Sequence, residues 1–420
     1  MYEHDVSPDR AFALLWDAGA AAPVGAERLP VGEALGRVLR EELASLVDRP
    51  PGDDSALDGY ACHVADGAPA SLDRPVSLRL VGRSHAGAPF RGTIGRGEAV
   101  YVATGALVPR GEAGEVGVVG VEHAREEAGA VVLTRPASAG AVRARGRDLR
   151  AGEVYLRPGD ELGPVQVGLA AGMGHAEVTV ARRPRVAVVS TGDELVKPGT
   201  VPGPGEVYES NLPTLVAEAR LGGCDVVWAG NVRDDPAALA RALDEAQAAG
   251  ADLALTVGGV SMGEREPVRT VLEEEGEVVF RRVTARPGGP LTFFRRRGLS
   301  VLALPGNPVS SLVCFRLFAR AYLDACLGRT DPPPYRVRVR ARLTHDLRPD
   351  ARTVFHRATL SVDERGATVT PYRDQSSAVS RSLHESSCLA VARRRAGRRG
   401  GGGDPVPLAM TEGEAGTGEA

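Results

Sequence analysis

The sequence has no cysteine framework, no membrane-length apolar run and no dominant charge. Its five cysteines (Cys62, Cys224, Cys314, Cys326, Cys388) are scattered and odd in number, without a C-x-x-C pair. This argues against a disulfide scaffold or a zinc site, and they read as small buried hydrophobes. No apolar stretch approaches the ~20 residues that span a bilayer, so no membrane partner is expected. A formal net charge of −3 and a pI near 6.3 give no global attraction for nucleic acid. The start, MYEHDVSPDR, is polar and acidic where a signal peptide is basic and then apolar, so a cytoplasmic location is expected. No internal repeats stand out.

What is present is a repeated strand and helix pattern in the second half of the chain. Ala251 to Glu264 reads as a buried strand, Leu253 to Val257, entering a glycine turn at Gly258-Gly259 and then a helix that Ser261 can cap. Free N–H groups and the helix dipole at such a turn favour a phosphate or another oxyanion, although a glycine turn in isolation is more often a connector. Two further buried-strand patterns end in polar loops. Arg185 to Ser190 runs into Thr191-Gly192-Asp193-Glu194, and Ser300 to Leu304 runs into Pro305-Gly306-Asn307-Pro308. Helical patterns fall at Leu212 to Leu221, Pro236 to Ala249, Pro267 to Glu275 and Val309 to Leu327. The alternation predicts a parallel sheet with helices on both faces and a ligand beyond the carboxyl ends of its strands.

At 420 residues the chain is expected to form several domains. Ser7-Pro8-Asp9 caps a predicted helix over Arg10 to Ala18. Leu29 to Ala44 reads as a second helix on the spacing of Leu35, Val38, Leu39 and Leu43. Val47 to Ala61, with its prolines and acids, reads as a loop that is neither continuous helix nor central strand, with Asp53 and Asp54 in a solvated acidic turn. Val76 to Thr134 carries short strands and glycine turns, a small β-domain in which Thr104 is presented at a turn. The segment AVRARGRDLRAGE is a basic linker whose glycine and Asp148 suit a turn that meets an acidic group. A short helix is predicted within Leu156 to Val180. GRTDPPPY reads as a stiff linker, followed by a second all-β domain with strands at Tyr335 to Leu343, VFHRATL, ATVTPY and PVPLAM. Arg336, Arg338 and Arg340 read as a solvated sheet face. ARRRAGRRGGGGD reads as a mobile basic loop and TEGEAGTGEA as a disordered acidic tail.

SALDGYA, TGA, RARGRDLRAG, VAVVSTGDEL, YESN, GGVSMGE and LPGNPVS, in this order, resemble the MoeA family of molybdopterin molybdenumtransferases over about Ser7 to Ala392. The resemblance implies an α/β plus all-β, multidomain, L-shaped subunit. Residues 1–46 and 143–181 form helical and linker segments, with 1–25 packing on the α/β domain; 47–142 form the inserted β-domain. The molybdopterin-binding, MogA-like three-layer α/β domain spans 182–328 and the β-barrel-like domain 335–411, leaving 412–420 as the tail. It implies a homodimer with each site shared between subunits, insertion of molybdate into adenylylated molybdopterin with loss of AMP, a Mg²⁺ requirement, and handover from a MogA-like adenylyltransferase.

Carried over motif by motif, Asp58, Thr104, Asp193, Glu194 and Glu266 take catalytic places, with Asp58 and Glu194 as Mg²⁺ ligands. Gly258, Gly259, Ser261, Gly263, Arg286, Pro305, Gly306, Asn307, Pro308 and Asp148 bind the molybdopterin substrate. Arg286, Pro290, Arg357 and Ser377 form the molybdate pocket, where a planar guanidinium suits an oxyanion. Departures are Leu57 for the motif Met, Glu266 for an aspartate, and Arg286-Pro287-Gly288-Gly289-Pro290 for K-P-G-K-P, which loses one cation. They leave an alternative expectation, a catalytically weakened, gephyrin-like paralogue that serves as a protein-binding scaffold.

Overall fold

The computed structural model describes residues 2–259, 267–330, 338–345, 347, 350–392 and 406–410. The proline linker at 331–337, the basic segment at 393–405 and the tail from 411 lie outside the described residues, as do the side chains of Arg336, Arg338 and Arg340.

A seven-stranded sheet organises the second half of the chain. Leu253–Val257 lies between Leu299–Leu304 and Arg185–Thr191, parallel to both, and Asp225–Val232 extends the parallel set beyond Arg185–Thr191. Thr292–Arg296 and Gly276–Val283 then add antiparallel pairings, and Glu3–Val6 closes the other edge parallel to Gly276–Val283. Successive residues of a strand face opposite sides, so Val186 and Val188 enter one core while Ala187 and Val189 enter the other. Helices Pro8–Ala20, Asn211–Leu221, Pro308–Cys314 and Arg320–Cys326 cover the first face, with a π-turn at Phe315–Ala319 between the last two. Pro236–Ala248 and Pro267–Glu275 cover the second. The result is a three-layer α/β/α sandwich. Ser7 Oγ accepts from Arg10 N to cap the first helix, which packs on Arg320–Cys326 so closely that a Cβ at Gly19 would lie 2.2 Å from the Tyr322 carbonyl oxygen.

The expected helix over Leu29 to Ala44 is not formed. Ala26–Pro30 is a strand antiparallel to Glu177–Ala181, a short 3₁₀ turn follows at Val31–Glu33, and Leu43–Ala44 pairs with Val154–Leu156. Pro30, and Gly36 at φ 73°, interrupt any helix there, and pairing with residues far along the chain overrides the local spacing. Val38, Leu39 and Leu43 are buried as anticipated, whereas Leu35 is exposed. The predicted short helix is Pro164–Gly172.

A six-stranded sheet runs in the order Val116–Gly120, Gly59–His63, Glu98–Val102, Val76–Ser84, Ala130–Leu133, Ala124–Glu127. Gly59–His63 is an interior strand although its first three residues end the segment read as a loop; the acidic, proline-rich part stops at Asp58. Asp54 is not in a solvated turn either. It is buried, and both its carboxylate oxygens accept from Arg143, at 2.8 and 2.9 Å. The basic segment does meet acidic groups there, since Arg145 Nε donates to Asp48 at 2.5 Å and Arg145 N to Asp53 at 3.0 Å.

The last sheet is a closed ring. Thr353–Asp363, Gly366–Pro371, Arg338–Leu343, Val406–Met410 and Cys388–Ala392 pair in that order, and Cys388–Ala392 returns to Thr353–Asp363. Ala285–Arg286, from the α/β sequence, adds to this ring parallel to Thr353 and Val354. That pairing joins the barrel to the sandwich.

Candidate functional site

The three strand-end loops converge on one open cleft of about 490 Å³ beyond the carboxyl edge of the parallel strands. Ser190, Thr191, Gly192 and Glu194 line it from one loop, Gly258 and Gly259 from the second, and Pro305, Gly306 and Asn307 from the third; Pro290, Asn211 and Asp234 complete the wall. Glycine is required at the meeting point. Gly258 has φ 93°, and a Cβ there would lie 2.6 Å from the Thr191 carbonyl oxygen, while the ideal Cβ of Gly306 is 3.4 Å from Gly258 Cα. The Gly258 N–H is already engaged, donating to Leu304 O at 3.3 Å. Ser261, Gly263 and Glu266 lie outside the described residues.

The lining carries two carboxylates, Glu194 and Asp234, and no lysine or arginine among the described residues. Asp193 does not line the cleft; its N–H points to Asp234 Oδ2 at 3.4 Å. No three metal-ligating side chains cluster among the described residues.

The residues assigned to molybdate are divided by the structure. Pro290 lines the cleft, whereas Arg286 and Arg357 line a second cavity of about 570 Å³ between the 286–287 turn and the barrel. Arg286 faces Asp350 at 3.6 Å; Asp350 is held well below the usual carboxylate range by hydrogen bonds from Arg352, with Arg286 adding to the effect. Arg357 is 1% exposed and its fork is occupied. Nε donates to Ser382 Oγ, Nη1 to Gln375 O, and Nη2 to both Asp374 O and Ser376 O, at 2.9 to 3.2 Å. The expected bidentate grip on an oxyanion is therefore absent from this arrangement. The guanidinium shapes the 374–376 loop, and burial lowers its pKa. That loop presents Ser377, whose Oγ accepts from Asn307 Nδ2 at 2.9 Å and whose carbonyl accepts from Val309 N at 3.3 Å, so Ser377 meets the cleft through Asn307.

Asp58 and Thr104 form a pair on the inserted sheet. Asp58 Oδ1 accepts from Thr104 N at 2.7 Å and from its Oγ1 at 3.1 Å, and neither residue lines the cleft of its own chain. Asp148 is 3.4 Å from Arg49 Nε in the linker region and lines no described part of the cleft. Pro308 starts the helix Pro308–Cys314, where its missing N–H and fixed φ are suited to the first turn.

Asp234, Asn211 and Glu209 carry no role among the sequence expectations. Asn211 Nδ2 donates to Gly306 O at 2.7 Å, and its Oδ1 accepts from Ser311 Oγ at 3.1 Å, so it ties two walls of the cleft together. The YESN motif carried that signal. Asp234 had a weaker one, as the first acid of an Asp-Asp-Pro helix start.

A mixed α/β sandwich with a polar cleft beyond its strand ends, joined to a closed barrel and carrying an inserted β-sheet, defines a multidomain protein whose cleft lies where doubly wound sheets take their ligands. Three family models match in sequence order: the MoeA N-terminal region (domain I and II) over 6–174, a probable molybdopterin binding domain over 187–325, and the MoeA C-terminal region (domain IV) over 340–402. A molybdopterin molybdenumtransferase of Synechococcus elongatus is 37% identical over 92% of this chain and 95% of its own length. One of Haemophilus influenzae is 32% identical over 89% and 91%. Two structures of the molybdopterin biosynthesis MoeA protein of Pyrococcus horikoshii superpose with TM-scores of 0.76 and 0.78 at 29% and 26% identity, covering 97% and 96% of this chain and 100% and 99% of theirs. The chain belongs to the MoeA family of molybdopterin molybdenumtransferases.

Proposed function

We propose that this protein acts in molybdenum cofactor biosynthesis, inserting molybdate into adenylylated molybdopterin with release of AMP. The observation that carries the reading is the cleft, where backbone from three loops converges with the amide of Asn211 and the carboxylates of Glu194 and Asp234. The substrate is a polyanion. Facing two carboxylates with no cation among the described lining residues, its phosphates would be repelled unless a cation intervened. This donor set fits Mg²⁺, which commonly takes one or two carboxylates together with phosphate oxygens and water. Glu194 and Asp234 would hold it, and its contribution would be neutralisation of phosphate charge. Asn211 and the glycine turn would orient the substrate, and Asn307 would carry the position of Ser377 and its loop to the cleft. Arg357 belongs to the molybdate pocket through the loop it shapes, and Arg286 stands at the adjoining cavity.

The Asp58–Thr104 pair does not reach the cleft of its own chain, which supports a homodimer whose sites are completed across subunits. Supply of the substrate by a MogA-like adenylyltransferase, and a cytoplasmic setting, complete the proposal. The test is molybdate-dependent AMP release from adenylylated molybdopterin with Mg²⁺ present and after chelation. Loss on chelation and recovery with Mg²⁺ are expected; AMP release indifferent to molybdate would refute the assignment.

A further inference from the structure

Glu209 lies just behind the cleft and does not line it, yet it is the hub of the wall. Its side chain is buried, with the residue 6% exposed. Oε2 accepts from Ser190 Oγ, and Oε1 accepts from the backbone N–H of Asn211 at 2.7 Å and of Leu212 at 3.0 Å. Ser190 is the penultimate residue of the interior strand Arg185–Thr191 and lines the cleft. Asn211 opens the helix Asn211–Leu221 and hydrogen-bonds the Gly306 carbonyl. One carboxylate thus fixes the Thr191 loop and, through Asn211, the Pro305–Asn307 turn.

The same contacts close the helix end to anions. Asn211 N and Leu212 N are taken by Glu209, Pro213 has no N–H, and Thr214 N donates to Ser210 O at 3.4 Å. A carboxylate supplied by the chain occupies the positive end of the dipole, so this helix start offers an anion no free N–H in its first turn.

We propose that Glu209 is a positioning residue for the reaction, setting Ser190 and Asn211 so that the strand-end loops keep one geometry around the adenylylated substrate. This rests on the function proposed above. A plain helix cap would stabilise Asn211–Leu221 and nothing beyond it, and Ser7, capping Pro8–Ala20, is the matched comparison.

The test compares Glu209→Gln, Glu209→Ala and Ser7→Ala by amide hydrogen exchange and by kinetics. In Glu209→Ala, faster exchange is expected at 190–195 and at 305–309 as well as at 211–214, with KM for adenylylated molybdopterin raised about tenfold or more and kcat changed less. Glu209→Gln keeps an acceptor for the helix N–H groups and a donor for Ser190, so it should recover most of the affinity. Ser7→Ala should lower Tm with wild-type KM. Exchange changes confined to 211–214 in Glu209→Ala, or a wild-type KM in that variant, would overturn the proposal. Hydrogen exchange needs no turnover: if the wild-type protein releases no AMP, the functional reading fails while the exchange pattern still decides the role of Glu209.

Discussion

His356 is a buried imidazole, 8% exposed, with both ring nitrogens lacking a hydrogen-bond partner among the described residues. Burial, with Arg357 and Arg286 adding to it and Asp350 opposing, pushes its pKa down from 6.5 to about 4. Near neutral pH the ring is uncharged in the folded state, and it takes a proton more readily when unfolded. Its contribution is therefore fully present above pH 6.5 and is lost as pH falls from 6.5 towards 4. That shift amounts to about 3 kcal/mol in all, of which about 2 kcal/mol is lost between pH 7 and pH 5. Urea unfolding at both pH values should show that slope in the wild type and a flatter one in His356→Leu. Equal slopes would contradict the assignment. A second residue-scale outcome concerns Gly289, where the K-P-G-K-P turn has lost its lysine. Gly289 lies outside the positive-φ set, and a Cβ there would meet nothing nearer than 3.6 Å, so the backbone admits a side chain. A unit charge ~4 Å from an anion contributes about 1 to 4 kcal/mol between bulk water and a partly buried site. Gly289→Lys should accordingly lower the molybdate concentration for half-maximal AMP release by about fivefold or more. A molybdate titration of both forms, with circular dichroism confirming folding, would show no gain if another cation already fills that place.

At the scale of elements, the cleft depends on glycines that let loops touch, and one of them, set against a glycine outside the cleft, separates local strain from site geometry. Gly258→Ala forces a side chain into φ 93° and places its Cβ 2.6 Å from Thr191 O, so it should cost roughly 1–3 kcal/mol and push the Thr191 loop aside. Gly298→Ala meets similar strain at φ 88° with nothing within 4 Å of its Cβ. Both variants should lose Tm, and only Gly258→Ala should lose kcat/KM at a temperature where both are folded; comparable losses of kcat/KM would show that strain alone is responsible. The elements around this turn were legible because burial on both faces leaves an uninterrupted apolar run: Leu253–Val257 was found to the residue, and the strands ending at Thr191 and Leu304 to within one. Ala26–Pro30 and Leu43–Ala44 were misread because their partners lie over a hundred residues later, and helical spacing of Val38, Leu39 and Leu43 is also what a buried irregular segment shows. Gly276–Val283 carries two arginines and is mostly half-buried, and Thr292–Arg296 is buried or half-buried throughout in spite of its two arginines, so neither shows the alternation of a half-exposed strand. In the site, Gly258, Glu194 and Asn307 were legible from their motifs. The way Arg357 directs its fork into backbone carbonyls follows from the path of the 374–376 loop, which no local pattern encodes.

At the scale of the molecule, the Asp58–Thr104 pair does not line the cleft of its own chain, and the second copy in the proposed homodimer would unite the two. The surface offers a place for one. The helix Pro164–Gly172 is apolar nearly throughout and leaves Val165 77% exposed, and Leu46 and Val47, 61% and 46% exposed, stand beside the Met173–Gly174 end that follows it. Covering such residues at a subunit contact is favourable by about 25 cal/mol per Å². Asp58→Ala and Glu194→Ala homodimers should each be nearly inactive. If each site takes Asp58 from one subunit and Glu194 from the other, a mixed dimer holds one site with both residues altered and one with neither. Mixing equal amounts after dissociation and reassembly places half the dimers in the mixed form, each with one intact site, so recovery of about one quarter of wild-type AMP release is expected. Mass spectrometry under native conditions would establish that the mixed dimers formed. Inactivity despite their formation would place Asp58 and Glu194 in the same subunit's site, and a fully active monomer would remove the need for a partner.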